Sequence, residues 1–517
     1  MEIPALAAIM IVPALLADPA QSGADMLRQF GPSATLRLMA SVPAPTGQLG
    51  TDDHGVRTAG ASGRAEHRRL PAAPVAASGR RYVNTGGTGR NRDALAAPRG
   101  SVSGAAGDLQ YVQAAGGDIA VYSKDTARLL LGPTRVNAIF YDAPPDPAMN
   151  ACRTHAAHDA TILYDQLANR WVVSYRAASG DRIAAANYQC IAVSSTADAQ
   201  GSYYRYAITF TSNAGAPLHA DDAKLALWPD AYYFSFSLFD SASGQYGGPR
   251  VCALARRALA AGADAQLRCR DLGSSAGPVA PAHMEGYAAP DGNAPAFFIA
   301  LDHAASALLA WRFSWSTGVL SKPRSIAVEP FLATQAAILQ PHPGFALQAM
   351  ADRIAPRVVY RNHDGRETIV ANHTVQIAEG QTSVRWYEIG NPLADPTLID
   401  QGTLGSDSDS RFMGSIGVDK VGNIAVGYSV AAADTPPGIR YTGRETGDAP
   451  GLMQAEEIIV NGTGVQSGQP STARSTGALA LDPIDGCTFW YTQRYVPMTG
   501  SRTWRTRIAN FRFRSCH

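Results

Sequence analysis

Residues 162–175 read ILYDQLANRWVVSY, in which an apolar strand, an Asp, a short polar turn and a second apolar strand follow one another. The other copies of this order are LWPDAYYFSFS at 227–237, FFIALDHAASALLAWRF at 297–313, VVYRNHDGRETIVANHTV at 358–375, IGVDKVGNIAVGYS at 416–429 and LALDPIDGCTFWYT at 479–492. Successive Asp residues of the six copies are separated by 55 to 72 positions, which indicates a repeated supersecondary unit. Repeated hairpins in one long chain predict an all-β fold, a single β-propeller.

The sequence predicts either six or seven blades, because a further hairpin precedes the six copies. Residues 108–132, DLQYVQAAGGDIAVYSKDTARLLLG, alternate apolar and polar positions around a turn. This hairpin either forms an additional blade or supplies strands that complete the last one.

The Asp that marks each copy has the position of a turn residue. An Asp side chain accepts hydrogen bonds from backbone N–H groups two residues further on, which stabilises a bend. In two copies an Asn follows four residues later, at Asn169 and Asn423. We interpret the six Asp residues as turn chemistry and not as a row of catalytic acids.

The N-terminal part of the chain differs in composition from the repeats. Its apolar run, residues 3–17, is too short to span a membrane but suits the core of a signal peptide. The segment that follows is rich in Gly, Ala, Ser, Pro and Arg and cannot bury enough surface to offset its ordering entropy. We therefore predict a signal peptide at 1–20, a disordered low-complexity linker at 21–105 and the propeller at 106–517.

The charge balance excludes some classes of partner. The chain has 44 Lys and Arg residues against 43 Asp and Glu residues, which argues against a nucleic-acid binder or a polybasic membrane-surface protein. No other stretch approaches the length of an apolar membrane span. We expect a secreted or periplasmic protein without a membrane span, and a monomer.

The six cysteines support export. They group as neighbours along the chain into Cys152 with Cys190, Cys252 with Cys269 and Cys487 with Cys516. None shows the C-x-x-C spacing of a zinc or redox site, and an even number in an exported protein predicts disulfides. We predict three local bridges, the last of which fastens the final strand to the hairpin that contains Cys487.

A second series of acids lies upstream of the turn Asp residues, where the innermost strand of each blade is expected to begin. Its members are Asp159, Asp221, Asp222, Glu285, Asp352 and Asp409. Equivalent strand ends converge on the channel of a propeller, where several carboxylates repel one another unless basic side chains or a cation lie between them. Two readings stay open: acids paired with Arg residues such as Arg353 and Arg411, or a channel cation such as calcium or a polar ligand.

The run from Tyr360 to Val375 contains the other candidate site residues. His373 and His363 flank a turn, with Arg361 nearby. A His beside a carboxylate can act as a general acid or base, and two His with an acid can ligate a metal. No third His or Cys has ligand spacing, so the sequence identifies neither a cofactor nor a catalytic set.

Several runs together resemble a family of uncharacterised secreted bacterial β-propeller proteins. They include ILYDQLANRW, AVSSTADAQGSYYRY, KLALWPDAYYFS, YRNHDGRETIVANHTV, RFMGSIGVDKVGNIAVGYS and LDPIDGCTFWYTQRY. The resemblance implies a secreted propeller with a local terminal disulfide and implies no established activity. This chain has His158-Asp159-Ala160 where the family typically has Gly-Asp-Pro, and 473–477 lack the acid of the family's Arg-Trp-Gly-Asp-Tyr run.

Two classes of function follow as hypotheses. The first is a binding module for an extracellular glycan, peptide or protein partner on one face of the propeller. The second is a glycan-active hydrolase or lyase at the channel mouth, which would use Asp159 or Asp221 with Arg361 or Arg411 and His373. No G-x-S-x-G or phosphate-loop context supports another chemistry.

Overall fold

The computed structural model describes residues 26–33, 36, 79–86, 102–180, 187–290, 293–332, 337–405, 407–467, 476–500 and 504–517. The predicted signal peptide at 1–20 lies outside the described residues. Among those described, no helix combines the length and apolar character that crossing a bilayer requires.

The strands of the N-terminal half belong to four groups in chain order. They are β1 (Met26–Phe30) and β2 (Gly79–Gly86); β3 (Val102–Ala106), β4 (Gln110–Ala115), β5 (Asp118–Ser123) and β6 (Leu129–Arg135); β7 (Ala156–Asp165), β8 (Arg170–Ala178), β9 (Asn187–Ser194) and β10 (Tyr203–Thr209); and β11 (Leu218–Leu227), β12 (Ala231–Asp240), β13 (Tyr246–Ala255) and β14 (Leu267–Asp271).

The strands of the C-terminal half follow the same scheme, with one small hairpin inserted. They are β15 (Ala280–Met284), β16 (Ala296–Asp302), β17 (Ala307–Phe313) and β18 (Arg324–Ala327); the hairpin β19 (Ala337–Ile338) and β20 (Leu347–Gln348); β21 (Val358–His363), β22 (Arg366–Ala378), β23 (Gln381–Gly390) and β24 (Thr397–Thr403); β25 (Ser410–Val418), β26 (Ile424–Ala431), β27 (Gly438–Arg444) and β28 (Glu457–Val460); and β29 (Ala478–Leu481), β30 (Phe489–Tyr495) and β31 (Arg505–Phe513).

The described strands form seven antiparallel blades around one axis. Blades 1 to 3 are β3–β6, β7–β10 and β11–β14, and blades 4 to 6 are β15–β18, β21–β24 and β25–β28. Blade 7 combines β29–β31 with β2 as its outermost strand. The first strand of each blade contacts the first strand of the next, and β29 contacts β3, so the ring closes. The β-propeller prediction is confirmed, and the hairpin at 108–132 belongs to blade 1.

The first strand of each blade is the innermost one and lines the axis. Because every blade is the same meander, the inner strands run in one direction, as the parallel pairing of β15 with β21 shows. We call the end at which the inner strands begin the upper end and the opposite end the lower end.

The apolar core lies between the faces of adjacent blades. The burial of β25 and β26 is continuous and not alternating, because each strand is covered on both faces by neighbouring blades. Aromatic contacts cross these interfaces, as between Tyr111 of blade 1 and Trp490 of blade 7, whose ring centroids are 5.2 Å apart.

In the part of the chain that the structure describes, two short α-helices and the 3-10 helix Val136–Phe140 accompany the blades. The helix Pro147–Thr154 begins at Asp146, whose side chain accepts hydrogen bonds from the N–H groups of Ala148 and Met149. The helix Arg256–Ala261 ends at Gly262, whose φ of 66° is the left-handed conformation that terminates helices.

All three predicted disulfides are confirmed. Cys152 bonds to Cys190 between the first helix and β9. Cys252 bonds to Cys269 across β13 and β14. Cys487 bonds to Cys516 and ties the end of the chain to the turn between β29 and β30.

The predicted linker at 21–105 requires correction at three strands. β1 pairs with the outer edge of blade 2, and β2 pairs with β31 of blade 7. β3 begins at Val102, four residues ahead of the predicted boundary. β1 and β2 each extend a blade at its outer strand, β10 and β31, whose backbone supplies their hydrogen bonds. Most of the remaining linker lies outside the described residues.

The repeat around Asp302 also differs from the expectation. Five of the six copies join the first strand of a blade to its second, whereas Asp302 lies between β16 and β17, the second and third strands of blade 4. The first strand of blade 4 ends at Met284 and is separated from β16 by 285–295. Asp302 therefore lies at the upper end of the propeller and the other five turn residues at the lower end.

Candidate functional site

A cavity of about 140 Å³ lies on the axis of the propeller, and the inner strands line it. This volume accommodates several water molecules or a small polar group. Its acidic, basic and histidine lining residues are Asp159, Asp222, Lys224, His283, Glu285, Arg353, Arg357 and His373. Four of the acids and histidines predicted from the sequence thus share one cavity: Asp159, Asp222, Glu285 and His373.

β-Bulges in the inner strands turn two of these acids towards the axis. The pairing of β7 with β8 shifts between His158 and Thr161, and that of β11 with β12 shifts between Asp221 and Lys224. Within the shifts Asp159 and Asp222 have φ values of 50° and 53°, a left-handed conformation that Asp tolerates better than most residues. The two acids therefore occupy equivalent positions in adjacent blades.

The upper end of the channel carries a mouth cluster of charged side chains, which we define as Asp159, Arg176, Asp221, Asp222, Lys224, Asp352 and Arg353. Arg176 lies between two acids, with Nη2 3.7 Å from Asp159 Oδ2 and Nε 3.8 Å from Asp221 Oδ1.

Two further cations neutralise the remaining acids of the mouth cluster. Lys224 Nζ is 2.7 Å from Asp222 Oδ2, and Arg353 Nη1 is 3.1 Å from the same oxygen. Arg353 Nη2 is also 2.7 Å from Asp352 Oδ2. Burial alone lowers the pKa of Arg353, but its hydrogen bonds to Asp352 and Asp222 raise the pKa above the ordinary value.

The acids of the mouth cluster are therefore paired with basic side chains, which is the first of the two interpretations of the acid series. Four carboxylates face three cationic side chains, so their mutual repulsion is largely compensated by basic side chains. In the part of the chain that the structure describes, no three His, Cys, Asp or Glu side chains are grouped to hold a metal ion.

Glu285 lies deeper in the channel than the sequence predicts. It follows the last residue of β15, so it lies at the lower end of an inner strand and not at its beginning. Its carboxylate accepts a hydrogen bond from the backbone N–H of Leu481 in blade 7 and pairs with Arg357 of blade 5. The expectation for Glu285 is corrected because the hairpin used to locate it, at Asp302, is an outer one.

His373 lies on β22, the second strand of blade 5, beside the cavity. Its Nε2 is 2.8 Å from the hydroxyl of Tyr387, and the two rings stack. Burial, with smaller contributions from Arg385 and His303, lowers the pKa of His373 to about 3. A neutral imidazole with so low a pKa is a weak general base at neutral pH.

His363 does not share this site. It ends β21 opposite Arg366, whereas His373 lies seven residues further along β22, a separation of about 23 Å along the strand. A single metal site that uses both histidines is excluded by this distance.

Three other predicted residues belong neither to the cavity lining nor to the mouth cluster. Arg411 is buried within blade 6, where it pairs with Asp407 and Glu456. Asp409 accepts a hydrogen bond from Thr435 at 2.8 Å. Arg361 lies against Gly286, where a Cβ atom would be 2.3 Å from its Nη1. Asp409 and Arg411 lie outside the cavity lining, and the bulge between Phe412 and Ser415, where Met413 has a φ of 53°, brings Met413 into that lining instead.

Sequence reasoning named Arg353 but missed the other cations of the site, Arg176, Lys224 and Arg357, and the histidine His283. Arg176 comes from a second strand, opposite His158, and nothing in its local sequence indicates this. His283 and Glu285 do carry a signal, because they alternate with buried Ala282 and Met284 on β15 and so share its channel face.

Comparisons with known proteins give only distant likenesses to solved structures, which carry no argument about fold or function. No protein-family model matches the chain, and no curated protein matches its sequence. A Dyadobacter fermentans protein of unknown function is 9% identical, with 69% of this chain and 95% of that chain covered and a TM-score of 0.41. The endosialidase of phage phi92 is 8% identical, with 83% and 69% covered and a TM-score of 0.40. An endo-arabinase from Bacteroides thetaiotaomicron is 14% identical, with 56% and 95% covered and a TM-score of 0.31. Likenesses of this size carry no functional argument.

Proposed function

We propose that this protein is an exported β-propeller that binds an extracellular glycan at the upper end of its channel without hydrolysing it. The observation that carries the proposal is the mouth cluster, in which carboxylates and cations alternate around a cavity. Sugar hydroxyl groups donate and accept hydrogen bonds, so one ligand can satisfy both kinds of side chain without bringing a net charge.

The same pairing argues against hydrolysis. A glycosidase needs one carboxyl group that is protonated and a second that is free to act as a base or nucleophile. Asp222 is already paired with both Lys224 and Arg353, and Asp159 with Arg176, so neither carboxylate is free to act as the base or nucleophile. His373 is too weakly basic to replace them.

Export is supported by the three disulfides, since such bonds persist in oxidising compartments and are rare in the cytosol. A peptide or protein partner is the competing binding hypothesis. The charged side chains that line the cavity favour a hydroxyl-rich ligand over an extended apolar contact.

The test is a glycan array, followed by titration calorimetry with the glycans that bind. We expect Arg353→Ala to weaken binding at least tenfold, which corresponds to about 1.4 kcal/mol, because the guanidinium both donates hydrogen bonds and positions Asp222. The matched control is Arg324→Ala. This variant removes an exposed cation that pairs with Asp395 and lies on β18, the outermost strand of blade 4.

A polysaccharide-degradation assay on the same samples separates binding from turnover. We expect no release of reducing ends. Release that Asp222→Asn abolishes would replace the binding proposal with a hydrolase, and glycan binding that is equal in wild type and Arg353→Ala would remove the mouth cluster from the ligand site.

A further inference from the structure

The interior of the channel contains a second set of polar groups below the mouth cluster. His283 and Glu285 point from β15 towards the axis, and Arg357 reaches them from the segment ahead of β21. We call these three residues the deep subsite. They come from blades 4 and 5, whose inner strands pair in parallel at this level.

His283 presents a hydrogen-bond donor to the cavity. Its Nδ1 accepts the backbone N–H of Leu227 at 3.2 Å, and a neutral imidazole that accepts at Nδ1 carries its proton on Nε2. Burial, assisted by Arg357, lowers the pKa of His283 well below its ordinary value, so the ring is neutral at physiological pH. The side chain is partly exposed although it lies on an inner strand, because it faces the cavity.

Glu285 and Arg357 retain unused hydrogen-bonding capacity. Glu285 is 4% exposed and lines the cavity. Its Oε1 is occupied by Leu481 and Arg357, but its Oε2 has no partner among the described residues, and neither has Arg357 Nε. A buried carboxylate oxygen without a partner is costly, which points to a group that this cavity receives.

The charge balance of the deep subsite selects the chemistry of that group. Arg357 is paired with Glu285, and the nearby guanidinium of Arg361 interacts with both Glu285 and Asp419. Two cations therefore face two acids, and an anionic ligand would leave one uncompensated charge inside the protein. A neutral hydroxyl avoids this cost, since it donates to a carboxylate oxygen and accepts from an N–H group.

We propose that the deep subsite binds the terminal ring of a glycan, a neutral sugar that enters the channel end-on. One hydroxyl donates to Glu285 after a small rotation of the carboxylate, and a neighbouring hydroxyl accepts from His283 Nε2 or from Arg357. This inference rests on the proposed function, because the mouth cluster would hold the sugar units that follow the terminal ring.

The experiment uses the full chain and free monosaccharides, with neutral hexoses and N-acetylhexosamines as probes and a uronic acid as the charged comparison. Binding is measured by saturation-transfer NMR and calorimetry. At least one neutral sugar should bind, and Glu285→Gln and His283→Ala should each weaken it at least tenfold. Arg324→Ala should leave the affinity within twofold. In wild type, the Nε2 resonance of His283 should shift on addition of that sugar, a readout that requires no variant.

The outcomes separate the deep subsite from the mouth cluster. Glycans that bind with sensitivity to Arg353 but not to Glu285 would overturn the deep subsite and leave the proposed function standing. A monosaccharide that binds with sensitivity to Glu285, without any glycan on the array, would support the deep subsite and contradict the proposed function. Tighter binding of the uronic acid than of any neutral sugar would overturn the inference. A high-resolution structure of a sugar-soaked crystal in which the deep subsite contains only ordered water would overturn it as well.

Discussion

Asp165 and Asp302 follow the same local pattern but have different surroundings. Both accept hydrogen bonds from backbone N–H groups two and three residues further on, as the turn interpretation predicts. Asp165 is completely buried and also contacts the next blade, where it accepts from the hydroxyl of Tyr232 at 2.6 Å and pairs with Arg256 at 3.2 Å. Asp302 is part-exposed, and among the described residues its carboxylate accepts hydrogen bonds only from the N–H groups of its own turn.

This contrast predicts unequal costs for one substitution. Asp165→Ala leaves the guanidinium of Arg256 buried without its carboxylate and should lower the free energy of unfolding by about 3–5 kcal/mol. Asp302→Ala removes only turn hydrogen bonds and should cost about 1 kcal/mol. Guanidinium-induced unfolding of both variants measures the difference. Equal costs would mean that the contact between blades 2 and 3 contributes nothing beyond the turn.

At the scale of strands, blade 7 contains one strand from the N-terminal part of the chain and three from the C-terminal part. β31 is the last described strand of the chain, and β2 pairs along its outer edge from Arg507 to Phe513. β1 covers the edge of blade 2 in the same way. An uncovered strand edge presents unpaired N–H and C=O groups that promote aggregation. The N-terminal region therefore has a structural role that its composition does not reveal.

Two truncated chains isolate the contribution of β2. A chain of residues 78–517 retains β2, whereas a chain of residues 101–517 lacks it, and both lack β1. Loss of the β2 to β31 pairing should lower the free energy of unfolding by at least about 3 kcal/mol and increase aggregation. Chemical denaturation and size-exclusion chromatography measure the two effects. Identical unfolding midpoints and elution profiles would show that β2 does not complete blade 7 in solution.

The whole molecule depends on closure of the ring between blades 7 and 1. The inner strands β29 and β3 contact each other, and the N–H of Val102 donates to the carbonyl of Thr476 at 2.9 Å. A buried ion pair crosses the same interface, since Lys124 Nζ of blade 1 is 2.8 Å from the carboxylate of Asp482 in blade 7. Lys124 Nζ also donates to the carbonyl of Gly107 at 2.6 Å.

Removal of this cation should affect the stability of the whole propeller. Lys124→Met leaves the carboxylate of Asp482 buried without a counter-ion and should lower the free energy of unfolding by about 3–5 kcal/mol. Arg324→Met, in an exposed pair with Asp395, should cost about 1 kcal/mol or less. Urea unfolding followed by fluorescence compares them. A loss for Lys124→Met no greater than for its control would show that closure does not rely on this pair.

The sequence by itself determined the hairpins, the turn chemistry and the three disulfides. Strand alternation and the Asx turn at Asp165 depend on residues a few positions apart, and each cysteine lies near its partner along the chain. The same local information was insufficient in blade 4, where a long connection after Met284 moved the Asp302 hairpin to the outer strands.

Only the tertiary structure decided the blade number, the role of β2 and the members of the channel site. Arg353 meets Asp222 across 131 positions of sequence, and Glu285 meets Leu481 across 196. Such contacts exist because closure of seven blades brings all the inner strands to one axis. The bulges at Asp159 and Asp222 then decide which side chains face it, since a shift of one residue in register reverses the face that each side chain occupies.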